Sequence, residues 1–103
     1  MKKITNKETQ LPSKEGFYDR FQLAIIICEA PAKDKSLTFS EMLKRQRIID
    51  ALNNSDKVSA KLEDADFELF KSLFENFDFA KVSIDIIEFG NHLEEVSKES
   101  NDK

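Results

Sequence analysis

Four sets of side chains in this sequence could do chemistry. His92 is the only histidine and could serve as a general base, but a base of that kind needs orienting partners that only the fold supplies. Cys28 is the only cysteine and falls on an apolar stripe beside Glu29, a setting that raises rather than lowers a thiol pKa, so a small core residue is expected. With one cysteine and one histidine, no internal disulfide and no thiolate or imidazole zinc site can be assembled, and neither metal nor cofactor is expected. Glu63-Asp64-Ala65-Asp66 with Glu68 has the look of a hard-cation cluster, but lacks the alternation, the glycine and the closing glutamate of a calcium loop. These carboxylates are read as cap and dipole partners of a helix start.

Lys44-Arg45-Gln46-Arg47 is the one basic cluster. On a helix its members spread around the axis, with Lys44 and Arg47 toward solvent and Arg45 near the core edge, one turn after Glu41. Gly16 and Gly90 stand alone, so no phosphate-cradling loop is present. The net charge of −4 divides into about +3 over residues 1–60 and −7 over residues 61–103, which argues against nucleic acid as a partner.

The elements that position these residues follow from composition and periodicity. The chain has 103 residues, is 40% hydrophobic and 35% charged, and holds two glycines and two prolines. That is one modest domain with few turns, and it points to an all-α bundle of about four short helices. Residues 1–12 are polar and patternless and are expected to be a flexible tail, residues 13–97 a single helical domain, and residues 98–103 a second tail. Phe17, Phe21, Ala24, Ile25 and Cys28 fit a helix capped by Ser13 and beginning at Lys14, although Ile25-Ile26-Ile27 would also suit a strand. After the Pro31 connector, Thr38 and Glu41 form a capping box for a second helix from Phe39 to Leu52, with Phe39, Met42, Ile49 and Leu52 toward the core.

Val58–Leu62 alternates as a short extended segment, and Phe79–Val82 resembles another; a parallel ladder between them would need a crossover near the minimum length. Between them Phe67, Phe70, Phe74 and Phe77 line one face of a third helix, capped by Asp64. Ser83 caps a last helix carrying Ile86, Phe89, Leu93 and Val96, with Gly90 inside it where another helix packs close. The longest apolar run, Leu23 to Cys28, is too short to span a bilayer, so neither membrane nor signal segment is expected and the cytoplasm is the default.

The stretch Ser40–Leu52, followed by Leu62-Glu63-Asp64-Ala65-Asp66-Phe67-Glu68-Leu69-Phe70 and later by Ile86-Ile87-Glu88-Phe89, resembles small tailed-phage and prophage proteins. Where those often carry a tryptophan after the third helix, this chain has Phe77 or Phe79. The resemblance implies a compact accessory protein without catalysis and assigns no site residue. The expected function is a non-enzymatic protein–protein interaction module in virion assembly or as an accessory factor. The alternative is an acidic inhibitor or decoy whose carboxyl-terminal half covers a basic surface of a host protein. Either reading takes a protein partner or a second copy, through surface left by the fold: Glu63, Asp66, Leu69, Phe79, Lys44 and Arg47.

Overall fold

The computed structural model of the chain describes residues 1–30, 37–79 and 81–99. The architecture is mixed α/β rather than all-α: four helices with two antiparallel two-stranded sheets among the described residues. The element order is β1 (Lys2–Thr5), β2 (Glu8–Ser13), β3 (Gly16–Asp19), α1 (Arg20–Glu29), α2 (Phe39–Asn53), β4 (Ser59–Leu62), α3 (Asp64–Glu75) and α4 (Ile84–Ser97).

The correction begins at the amino-terminal end, where the segment read as a tail forms two strands. β1 pairs antiparallel with β4, Lys2 opposite Leu62 and Thr5 opposite Ser59. The alternation places Ile4 in the core, fully buried beside Ala60 and Leu62 of β4. Lys2 is also buried along its stem, and its Nζ reaches the last turn of α4, donating to the carbonyl oxygens of Ser97 at 3.5 Å and Glu99 at 2.6 Å. β2 and β3 form a hairpin with Ser13 opposite Gly16. Gly16 adopts φ +131°, a conformation open to glycine and strained for other residues. An irregularity between Glu8 and Pro12 is filled by Thr9, whose Oγ1 donates to the Tyr18 carbonyl and accepts the Leu11 N–H.

The first helix therefore starts at Arg20 rather than Lys14. Its cap is Asp19, which accepts the Gln22 N–H while the Gln22 side chain accepts the Asp19 N–H, each at 2.8 Å. Phe17 lies before this helix and is exposed, whereas Phe21, Ala24, Ile27 and Cys28 are buried. Thr38 caps α2 through the reciprocal bonds with Glu41 that the sequence predicts. Ser83 caps α4, its Oγ accepting the Ile86 N–H. The segment before α3 is extended as predicted, and it pairs antiparallel with β1. Among the described residues of 79–82, namely Phe79, Lys81 and Val82, there is no strand. The Pro31 connector lies outside the described residues, as do residues 100–103.

α3 is the centre of the core and packs on α1, α2, α4 and β4. Phe67, Phe70 and Phe74 are buried, as the aromatic periodicity predicts, and Phe77 is partly buried against them. Phe74 meets Phe89 of α4 edge-on, at 5.2 Å between ring centroids. A Cβ on Gly90 would lie 3.1 Å from the Phe74 ring, so the glycine is the gap through which α3 and α4 approach.

Candidate interaction surface

The residues singled out as surface are placed very differently from one another. Arg47 and Asp66 are brought together: the Arg47 guanidinium donates to Asp66 Oδ1 at 2.5 Å and ties α2 to α3. Leu69 and Phe79 are half-buried and turn onto the core. The Phe79 ring sits 5.5 Å from Phe74 and 4.9 Å from Phe77. Glu63, not Asp64, occupies the cap position of α3 and makes no side-chain cap bond, although the acidic first turn suits the helix dipole. Glu63 and Lys44 are exposed.

Several carboxylates of the acidic half are engaged within the fold. Lys71 donates at 2.9 Å to both Glu75 and Glu94, bridging α3 and α4. Glu88 pairs with Lys7, and Asp85 accepts the Gln10 N–H at 3.0 Å. These contacts explain why the Glu94 carboxyl is held below its ordinary value, the Lys71 hydrogen bond being the main cause.

The exposed apolar surface lies elsewhere. Phe39, Met42 and Leu43 are 74%, 51% and 53% exposed on the first turns of α2. The sequence reading placed Phe39 and Met42 toward the core; the buried face of α2 is instead Arg45, Ile48, Ile49 and Leu52. At about 100° per residue Phe39 falls opposite Ile48 and Leu43 falls opposite Leu52, so neither can share the buried face. Met42 lies only about 20° from Ile49 around the axis and stays exposed one turn before the first buried residue, Arg45. Lys44 and Arg47 flank this strip. Val82, Ile84 and Ile87 form a second exposed apolar group at the start of α4.

The residues considered for catalysis are engaged or enclosed. Cys28 is 1% exposed, and burial pushes its thiol up to about 12, helped by Glu29 and opposed by Arg45. His92 is half-buried and its Nε2 accepts the Thr5 backbone N–H at 3.0 Å. An open cavity of about 260 Å³ lies between the start of α1 and the end of α2, lined by Asp19, Phe21, Gln22, Ile25, Leu52, Asn53 and Lys57. It includes neither His92 nor Cys28. Asp19 and Gln22 are committed to the α1 cap, and Lys57 donates to the carbonyls of Leu52 and Asn53 at the end of α2. Among the described residues, no three His, Cys, Asp or Glu side chains gather as metal ligands, and no helix is long and apolar enough to cross a membrane.

No protein-family model matches the chain, and it has no significant match among curated proteins or solved structures.

Proposed function

We propose that this chain is a non-enzymatic protein–protein interaction module that binds a protein partner through the amino-terminal face of α2. The observation that carries this reading is the strip of Phe39, Met42 and Leu43, three large apolar side chains at helical spacing that stay exposed while Ile48, Ile49 and Leu52 of the same helix are packed. An exposed Phe beside Met and Leu is the composition that anchors a partner, and the flanking Lys44 and Arg47 supply a polar rim. The role is that of an assembly or accessory factor, as the resemblance to small tailed-phage and prophage proteins implies.

The test is affinity capture from a bacterial lysate at low and high salt, with wild type and Phe39→Glu/Leu43→Glu compared side by side. A prey retained at high salt by wild type and lost by the variant, with the variant's circular dichroism unchanged, supports the reading. A prey held equally by both removes the α2 face as the site. Capture that ignores the α2 substitutions and vanishes with salt favours the acidic inhibitor or decoy instead.

A further inference from the structure

The end of β1 is held by an arrangement that no catalytic or docking role accounts for. In the β1–β4 ladder, Asn6 donates its N–H inward to the Val58 carbonyl at 2.8 Å. The Thr5 N–H consequently points to the opposite, outer edge of β1, and there it donates to His92 Nε2 on α4. The other end of Thr5 is held as well, its carbonyl accepting from Arg20 Nη1 at 3.4 Å. Arg20 is itself pinned over the Phe89 ring, 5.4 Å from its centroid, and is 8% exposed.

We infer that His92 is a proton-operated latch that covers the outer edge of β1 while neutral and releases it when protonated. An Nε2 that accepts a hydrogen bond must carry a lone pair, which fixes the neutral imidazole with its proton on Nδ1. A proton on Nε2 turns the acceptor into a donor aimed at another donor, and it sets a second cation close to Arg20. The Thr5 N–H then loses this partner, and an unpaired strand edge is presented to water or to another strand.

The surrounding charges do not cancel this effect. Glu95 of α4 and Glu99 just after the helix favour the charged imidazole, whereas Arg20 from α1 opposes it. On β1, Lys2 reaches the Ser97 and Glu99 carbonyls; after β1, Lys7 is paired with Glu88; on α3, Lys71 is taken by Glu94 and Glu75. The net result favours the neutral form: the His92 pKa is lowered, first by burial and then by Arg20. Release therefore belongs to mildly acidic conditions, below the ordinary histidine value.

The experiment is amide hydrogen exchange by NMR, corrected for intrinsic rates, on wild type and His92→Gln at about pH 7.5 and about pH 5. Glutamine can present its Oε1 to the Thr5 N–H without titrating. On acidification, the wild-type Thr5 amide should lose protection while that of the variant keeps it. Equal protection changes in the two proteins would overturn the latch. Should the variant fail to fold, the ¹⁵N resonances of the wild-type imidazole decide. An unprotonated Nε2 at neutral pH, whose titration moves the Thr5 amide shift in step, supports the proposal. A protonated Nε2, or a Thr5 shift indifferent to that titration, excludes it.

Discussion

Arg45 on α2 closes the end of α1: its Nη1 donates to the carbonyl oxygen of Ala30 and, at 3.2 Å, to that of Cys28. α1 has no basic residue in its own last turn, and its final carbonyls would otherwise be short of donors at the negative end of the helix dipole. The side chain is 7% exposed, and its partners among the described residues are these backbone acceptors. Replacing Arg45 with Met keeps the packing stem and removes the donors. Arg45→Met should therefore lower stability by about 2–3 kcal/mol in urea unfolding, the range for hydrogen bonds made by a charged group. A loss within about 0.5 kcal/mol, the level of ordinary surface substitutions, would show that water replaces the guanidinium at no cost.

Gly90→Ala sets two effects against each other. Helix propensity favours alanine by about 1 kcal/mol. Against it, the new Cβ would lie 3.1 Å from a Phe74 ring already hemmed in by Phe70, Phe79 and Phe89. A ring with three aromatic neighbours has little room to yield, and overpacking costs about 1–3 kcal/mol. The expected outcome is a net loss of about 1 kcal/mol by thermal unfolding; a gain would mean that Phe74 slides aside.

Phe70 is fully buried between Phe74 and Phe89. Phe70→Ala should cost about 3–5 kcal/mol in chemical denaturation. If it instead leaves stability unchanged and alters self-association, the aromatic stripe is an interface rather than a core.

The local signals in the sequence were legible and the long-range ones were not. Thr38 with Glu41, Ser83, and the Phe67/Phe70/Phe74 stripe each depend on residues within one or two turns, and all three are found where the pattern puts them. Asp19 with Gln22 is a signal of the same kind and marks the true start of α1, but the spacing of Phe17 with Phe21 suggested an earlier one. β1 offers only Ile4 as an apolar residue between polar neighbours, and its partner lies in residues 59–62, so nothing local distinguishes it from a tail. Leu69 and Phe79, which helix periodicity alone leaves uncovered, are partly buried against the core. Asp66 was read as a dipole partner, and its bond to Arg47 depends on how α2 and α3 meet.

Stability should fall on both sides of a neutral plateau. His92 has a folded pKa below its ordinary 6.5, so its contribution is complete above that value and declines as pH falls through the folded pKa. Glu94 and Asp56 are likewise depressed, by Lys71 and by the Val58 and Ser59 N–H groups respectively, and their contributions decline below about pH 4. Cys28 acts in the opposite direction. Its folded pKa is raised from 9.0 to about 12, so stability present below 9.0 is lost as the pH rises through that interval. In urea titrations across pH, Cys28→Ala should flatten the alkaline arm and His92→Gln the mildly acidic one; an unchanged arm in either variant would assign that loss to other groups.

The pairing of Lys2 with Leu62 also governs the order in which the molecule can be made. β1 precedes β4 in the chain, so it has no ladder partner until residues 59–62 emerge from the ribosome, and no α4 to cover its outer edge until His92 follows. Loop closure over that separation slows folding relative to a helical bundle of the same size. The β2–β3 hairpin and the capped helices can form locally in the meantime. During synthesis the nascent β1 edge is open to chaperones or to neighbouring chains, and the two lysines within the strand, Lys2 and Lys3, are the residues that discourage such pairing.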